Sequence, residues 1–182
     1  MMAEGLSRKY NIQNFDEADQ LEALEELVKS HPNTAVLIVD MQEKCLRKLA
    51  NSDRSVILSY QKGVLEYCSI NNIPVIVLEY QGKGNTIPEL KEAVEKVPNR
   101  FYLSKSSEDG FTNPILAEKI KECGINHLFL MGVYASACII WTANGALENG
   151  FSVSTSRFAI ATRPQYRYRP YLQWFEGHGR LI

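Results

Sequence analysis

The sequence lacks long apolar runs and has little excess of charge of either sign. No stretch approaches the roughly 18–20 consecutive apolar residues that span a membrane, and no apolar segment follows the first charged residues as it would in a secretory signal. The chain has 20 basic and 21 acidic residues and a formal net charge of −1. We therefore expect no membrane contact and no nucleic-acid partner, because either would favour a basic surface.

Cysteine is sparse and is not arranged for disulfides. None of the four cysteines belongs to a CxxC pair, and a chain of 182 residues can bury a core without covalent cross-links. We expect free thiols in a reducing compartment, which indicates the cytoplasm. The four residues are Cys45, Cys68, Cys123 and Cys138.

Motifs for two kinds of cofactor are also missing. The three histidines, His31, His127 and His178, are far apart along the chain, whereas metal sites need clustered ligands. The turn after the first predicted strand reads DMQEK, without the glycines that bring backbone amides up to a pyrophosphate, and no P-loop motif occurs. We therefore predict no metal ion and no nucleotide cofactor.

The sequence does contain a regular alternation of strands and helices. Apolar, β-branched runs predict strands at residues 34–40, 74–79, 100–103, 127–133 and 151–160. Helical spacing and capping residues predict helices at about residues 14–29, 52–71, 88–94, 113–124, 137–149 and 167–176. This order predicts an α/β fold, a three-layer α/β/α Rossmann-like arrangement with a central parallel β-sheet. We expect one domain over residues 1–182, in which residues 1–13 form an N-terminal arm.

Three chemically active residue types follow the predicted strands. Asp40 ends the first strand, Lys105 follows the third, and Cys138 begins the helix after the fourth. Ligands of open α/β sheets bind outside the carboxyl ends of the strands, so we expect these side chains to converge. A nearby cation and a helix N-terminus would lower the pKa of the thiol, and a carboxylate can accept its proton.

Each of these residues also has a plainer interpretation. Asp40 could cap the next segment, Lys105 could be a solvated surface lysine, and Cys138 could be a small buried apolar residue. Their common position at one edge of the predicted sheet favours catalysis. The tail contains further arginines, which could bind an acidic substrate or a partner subunit, or could form a solvated basic face. These are Arg157, Arg163, Arg167 and Arg169.

Three segments resemble the isochorismatase-like cysteine hydrolase family. Residues 36–42, VLIVDMQ, resemble the family's first strand with its Asp and Gln. Lys105 with residues 110–116 resembles the family's lysine and the helix start behind it. Residues 132–150, which open with GVYASAC, resemble the nucleophile segment. The resemblance extends over about residues 34–153.

The resemblance implies a catalytic triad of Cys138, Asp40 and Lys105. It also implies a cis peptide bond between Val133 and Tyr134, which would turn the amides of Tyr134 and Cys138 into an oxyanion hole. Members typically cleave an amide, carbamoyl or vinyl-ether bond in a small molecule, and they are often dimers or tetramers. We therefore predict a homo-oligomeric hydrolase that acts on a small-molecule substrate through a thioester. The side chains expected to line its pocket are Gln42, Tyr80, Gln81, Phe111, Tyr134 and Trp141.

The sequence departs from the family in two places. Nicotinamidase-type members hold a metal with an Asp and histidines after the second strand, where residues 79–84 read EYQGKG, so we predict no zinc. The family often has Asp-Ala after the fifth strand, where residues 156–159 read SRFA. Two alternatives to amide or carbamoyl hydrolysis stay open: an isochorismatase-type vinyl-ether hydrolase, and a non-catalytic binding or assembly module. The presence of Cys138 favours the covalent, amidase-like reaction.

Overall fold

The computed structural model describes residues 15–164, 166 and 168–182, and for residues 15–18 and 20 it describes the backbone alone. The expected N-terminal arm at residues 1–13 and the expected helix cap at Asn14 lie outside this part of the chain. Arg167, where the last helix is predicted to begin, also lies outside it.

Strands and helices alternate along the described residues. The strands are β1 (Thr34–Val39), β2 (Val75–Tyr80), β3 (Arg100–Lys105), β4 (His127–Val133), β5 (Ser152–Thr155), β6 (Ile160–Ala161) and β7 (Arg180–Leu181). The helices are α1 (Phe15–Ser30), α2 (Glu43–Leu46), α3 (Asn51–Asn71), α4 (Pro88–Val94), α5 (Pro114–Glu122), α6 (Ile140–Glu148) and α7 (Arg169–His178). A 3₁₀ turn (Gly110–Thr112) precedes α5, and a π-helical turn (Ala135–Ile139) precedes α6. In the part of the chain that the structure describes, no helix combines the length and apolarity needed to cross a bilayer.

The strands form one parallel sheet. Its order is β3-β2-β1-β4-β5-β7, and β6 also pairs with β4. Every residue of β1 and β4 is buried. Because alternate side chains of a strand point to opposite faces of the sheet, both faces must be covered at its centre. The predicted α/β/α architecture with a central parallel sheet is confirmed.

Close backbone packing joins the two central strands at their carboxyl ends. Gly132 of β4 lies opposite Val39 of β1 and has a φ of 132°. A Cβ atom at this position would collide with the Val39 carbonyl oxygen, so only glycine fits. This contact brings the residue after β1, Asp40, close to the segment that carries Cys138.

The fifth strand predicted within residues 151–160 is present but covers only part of that range. β5 ends at Thr155, and a turn follows in which the Ala159 amide donates to the Ser156 carbonyl (3.0 Å) and the Phe158 amide to Ser156 Oγ (3.2 Å). β6 then continues the sheet beside the end of β4. Residues 154–157 read STSR, a polar run that marks the break in the sequence. The short helix α2 and the strand β7 have no counterpart in the sequence prediction.

Candidate active site

Asp40 leaves β1 in a left-handed backbone conformation. Its φ is 56°, a region that aspartate enters more readily than most residues with a side chain. Its amide donates to the Leu78 carbonyl on β2 (3.0 Å), and its carbonyl accepts the Gln42 amide (2.8 Å). These bonds hold Asp40 at the carboxyl edge of the sheet, where it is only 2% exposed.

Lys105, the last residue of β3, is also buried. It lies beside Tyr80 in the register of β2 and β3, and its Nζ is 4.6 Å from the centroid of the Tyr80 ring. The Nζ atom is 3.0 Å from Oδ2 of Asp40 and donates to the carbonyls of Ser107 (3.0 Å) and Glu108 (3.3 Å). An ammonium has three N–H bonds, and these acceptors satisfy it inside the protein. Lys105 is therefore not a solvated surface lysine.

Cys138 lies in the π-helical turn between β4 and α6. The Tyr134 carbonyl accepts the amides of Ala137 (3.0 Å) and Ile139 (3.1 Å), which flank Cys138 in the chain. The peptide bond between Val133 and Tyr134 is cis, at the position that the resemblance implies. The helix predicted from residue 137 thus begins as a wider turn two residues earlier, and Cys138 is 6% exposed within it.

Burial dominates the electrostatics of these groups. Burial and, next, the negative charge of Asp40 raise the pKa of the Cys138 thiol to about 12, although Lys105 acts in the opposite direction. Burial also raises the pKa of Asp40 against the opposing positive charge of Lys105. Lys105 therefore lowers the thiol pKa as expected, but burial and the charge of Asp40 outweigh it, so the expected net lowering of the pKa does not occur. In the resting site the thiol keeps its proton.

Asp40 is the group placed to accept that proton. Its Oδ2 atom carries the ion pair with Lys105, whereas its Oδ1 atom has no hydrogen-bond partner among the described residues. A carboxylate whose pKa is raised is a stronger base than an exposed aspartate. The site therefore holds a neutral thiol near a carboxylate that has one oxygen free to take a proton.

A small cavity connects the thiol and the carboxylate. Its volume is about 290 Å³, and its lining includes Asp40, Cys138, Tyr80, Tyr134 and Cys45. The Tyr134 hydroxyl donates to the Cys45 carbonyl, which joins the residues after β4 to α2. The volume lies near the lower end of the roughly 300–1,000 Å³ range of small-molecule pockets, so the cavity suits a small ligand.

Two of the six predicted pocket residues, Tyr80 and Tyr134, lie in the wall of this cavity. Phe111 does not, because it is buried against Phe151 with the ring centroids 5.7 Å apart. Trp141 is also elsewhere, because α6 turns it towards solvent with 53% of its surface exposed. The two predicted glutamines, discussed next, likewise lie outside the wall.

Gln42 fastens the loop after β2 instead of lining the cavity. It is fully buried. Its Nε2 atom donates to the carbonyls of Tyr80 (3.0 Å) and Gly84, and its Oε1 atom accepts the Tyr80 amide (2.8 Å). Gln81, in contrast, is an exposed residue of that loop. The two glutamines therefore form a matched pair for mutagenesis.

Replacing Gln42 with alanine is expected to lower the free energy of unfolding by about 1–3 kcal/mol, because it removes a fully buried side chain that makes three hydrogen bonds to the Tyr80 and Gly84 backbone. The same change at Gln81 is expected to alter it by less than about 0.5 kcal/mol. Urea denaturation followed by circular dichroism measures both. Equal losses in the two variants would show that the Gln42 side chain does not hold the loop.

Sequence reasoning missed several charged residues at the mouth of the cavity. Lys44 and Lys48 follow β1, Lys83 follows β2 and Glu108 follows β3, each several residues beyond the strand end. Arg163, considered above only as part of a basic tail, also lines the cavity. The signal that could have indicated the first two is the cluster of basic residues directly after the first predicted strand, at Lys44, Arg47 and Lys48.

The histidines do not come together at the cavity. His127 hydrogen-bonds with Ser152 (2.6 Å) and Ser154 (2.8 Å), and its ring lies 4.4 Å from that of His31. Burial lowers the pKa of His127 to about 4, so its ring is neutral near pH 7. Across residues 15–164, 166 and 168–182, no group of three or more His, Cys, Asp or Glu side chains is arranged to hold a metal ion.

Comparison with known families identifies the family to which the chain belongs. The isochorismatase domain model matches residues 34–170, a range that contains Asp40, Lys105 and Cys138. The chain therefore belongs to the isochorismatase family, which confirms the resemblance seen in the sequence.

One curated relative is the streptothricin hydrolase of Streptomyces noursei. It is 26% identical over 141 residues, which cover 72% of this chain and 55% of that protein. The chain thus spans about half the length of this relative.

Two solved structures show the same fold. N-carbamoylsarcosine amidase from Thermoplasma acidophilum has a TM-score of 0.68 at 20% identity, covering 81% of this chain and 94% of its own. The YcaC gene product of Escherichia coli, an octameric hydrolase of unknown specificity, has a TM-score of 0.69 at 23% identity, covering 84% and 76%. At such identities the likeness shows the fold alone.

Proposed function

We propose that the chain is a cysteine hydrolase that cleaves an amide or carbamoyl C–N bond of a small molecule through a thioester on Cys138. The observation that carries the proposal is a buried thiol that shares one small cavity with the carboxylate of the buried Asp40–Lys105 ion pair. A thiol of raised pKa needs a base at hand to act as a nucleophile. A buried ion pair is also costly to desolvate, so the position of the Asp40–Lys105 pair beside the thiol favours a catalytic role for the pair.

The first half of the proposed reaction forms the thioester. Asp40 accepts the thiol proton while the sulfur attacks the carbonyl carbon, so no free thiolate accumulates. The amides of Tyr134 and Cys138 donate to the oxyanion of the tetrahedral intermediate. Asp40 then passes the proton to the nitrogen as the C–N bond breaks, and the amine or ammonia leaves.

The second half releases the acid. Water attacks the thioester carbon, Asp40 accepts a proton from that water, and the proton passes to the sulfur as the C–S bond breaks. The products are a carboxylic or carbamic acid and the free thiol. Lys105 supports both halves through Asp40, because its positive charge opposes the rise in the Asp40 pKa that burial causes.

The comparisons support hydrolysis as the reaction class. One relative is named as a hydrolase and one structural neighbour as an amidase. Vinyl-ether hydrolysis requires a proton donor rather than a nucleophile. The thiol in the cavity therefore favours the C–N reaction over that alternative.

A screen of primary amides and N-carbamoyl compounds, assayed by ammonia release, tests the proposal. We expect the wild type to turn over at least one of them and Cys138→Ala to show no turnover above the uncatalysed rate. Acid quenching followed by intact-mass measurement should show an acyl adduct on the wild type alone. Turnover that survives Cys138→Ala would eliminate the covalent mechanism. An absence of both turnover and adduct would favour a binding or assembly module.

We propose further that the chain forms a homo-oligomer, a dimer or tetramer, in the cytoplasm. YcaC, which shares the fold, is octameric, and Trp141 exposes a large aromatic surface on α6. All four cysteines are free thiols, as expected in a reducing compartment. Gel filtration with light scattering measures the assembly, and a monomer mass at micromolar concentration would contradict it.

A further inference from the structure

Four cationic side chains surround the mouth of the candidate active-site cavity. Lys44 and Lys48 come from α2 and the residues after it, Lys83 from the loop after β2, and Arg163 from the residues after β6. We call these four residues the cationic rim. One exposed carboxylate, Glu108, lies among them. Because the whole chain has a formal net charge of −1, this local positive excess is not a property of the general surface.

The cationic rim is not neutralised by neighbouring carboxylates. Within the described residues, the ion pairs that form involve other side chains. The Nζ atom of Lys44 donates instead to the carbonyl of Gly82 (3.0 Å), which ties α2 to the loop that carries Lys83. The positive charges are therefore available to a ligand.

Aromatic walls of the cavity lie against two members of the cationic rim. The Arg163 guanidinium lies 4.5 Å from the centroid of the Tyr134 ring, and the Lys83 ammonium lies 5.9 Å from that of the Tyr80 ring. Both rings line the cavity. The charge of Lys83 reaches the reacting groups, because it is among the cations that oppose burial in setting the Asp40 pKa.

We infer that the substrate is a small anionic molecule whose carboxylate or phosphate binds the cationic rim while its scissile carbonyl lies at Cys138. The inference rests on the proposed function for the reaction and on the cationic rim for the substrate class. A cleft lined by one sign of charge raises the local concentration of opposite charge. The Asp40 carboxylate does not cancel this attraction, because Lys105 pairs with it. The cavity volume of about 290 Å³ suits a small molecule that carries both the anion and the amide.

Two amides that differ in charge test the inference kinetically. Succinamate and succinamide share a four-carbon chain and a primary amide, but only succinamate carries a carboxylate. We expect the wild type to hydrolyse succinamate with a kcat/KM about tenfold or more above that for succinamide, mainly through KM. The advantage should shrink as salt rises from 20 to 500 mM, because salt screens exposed charges.

Variants of exposed lysines locate the effect. The double variant Lys48→Gln/Lys83→Gln should lower kcat/KM for succinamate and remove most of the preference for succinamate over succinamide. Lys62→Gln, an exposed lysine on α3 that does not line the cavity, should change neither. Arg163 is left in place because it contacts Tyr134.

A binding measurement separates this inference from the proposed reaction. Succinate should protect Cys138 from iodoacetamide at lower concentration than succinamide does, and the double variant should lose the difference. Inorganic phosphate in a parallel series distinguishes a phosphate ligand from a carboxylate. Charge-selective protection without turnover of any amide would refute the hydrolase and support the anion site. Amide turnover with no preference for the anionic substrate and no succinate protection would overturn the anion site and leave the hydrolase standing.

Discussion

Replacing Asp40 with asparagine is expected to slow amide turnover about 10²–10⁴-fold, the range that a positioned general base contributes, and at the same time to speed the alkylation of Cys138. The effects have opposite signs because Asp40 has two influences on the thiol. During turnover it accepts the thiol proton, whereas in the resting site its negative charge raises the thiol pKa. A residue that only supported the fold would not separate the two rates in this way.

The faster alkylation in Asp40→Asn follows from the positive charge of Lys105, which remains beside the thiol. Asparagine preserves the shape of the side chain, and Lys105 becomes the charged neighbour that acts on the thiol and lowers its pKa. At a fixed pH well below the thiol pKa, each unit by which the pKa falls increases the thiolate fraction tenfold. Because a less basic thiolate is also a weaker nucleophile, the net gain is about threefold per unit.

Iodoacetamide labelling at pH 8.5, measured by peptide mass spectrometry, tests this prediction alongside the amide assay. The exposed Cys123 serves as the internal reference for reagent activity, and Cys138→Ala identifies the labelled peptide. Circular dichroism establishes that the variant is folded. Slower or unchanged labelling of Cys138, or turnover at the wild-type rate, would contradict Asp40 as the base.

The positions of the three reactive residues could be predicted because a parallel sheet gathers its strand ends at one edge. β1 and β4 are neighbours, so the residues that follow them, Asp40 and Cys138, come close together. β3 is separated from β1 by β2. Lys105 reaches Asp40 across this distance because its side chain is long and passes Tyr80. The order of the strands, which decides this, could not be read from the sequence.

The pKa of the thiol and most of the pocket wall could not be predicted, because both depend on the assembled fold. The sequence shows a lysine and a helix start, but not the burial that raises the Cys138 pKa. The π-helical turn at Ala135–Ile139 changes the number of residues per turn, and so alters which residues of α6 face the cavity. Trp141, predicted to line the pocket, faces solvent instead.

Replacing Lys105 with methionine is expected to lower the free energy of unfolding by about 3–5 kcal/mol at pH 8, the loss typical when one partner of a buried ion pair is removed. Methionine fills a similar volume. It leaves Asp40 buried without its counter-charge, and it leaves the carbonyls of Ser107 and Glu108 without their ammonium donor. The first of these costs depends on pH, and the second does not.

The sign of the pH dependence follows from the pKa of Asp40. Burial already raises the pKa of Asp40 above its ordinary value of 3.8, and the substitution removes the main charge that opposes this rise. The folded variant then binds a proton more tightly than the unfolded chain does. Its stability relative to wild type therefore increases as the pH falls through the folded pKa of Asp40 towards about 4. The deficit should be smaller at pH 5 than at pH 8, without vanishing.

Urea denaturation at pH 5 and pH 8 measures the deficit, with Lys119→Met as the matched control. Lys119 forms an ion pair with Glu122 at 2.8 Å, but both side chains are about half exposed (48% and 62%). Its loss should therefore cost less than about 1 kcal/mol. A Lys105→Met deficit that is no larger than this, or that is the same at both pH values, would mean that Lys105 is not what keeps Asp40 ionised. The proposed reaction needs Asp40 to be ionised before it can accept the thiol proton, and such a result would remove Lys105 as the reason why it is ionised.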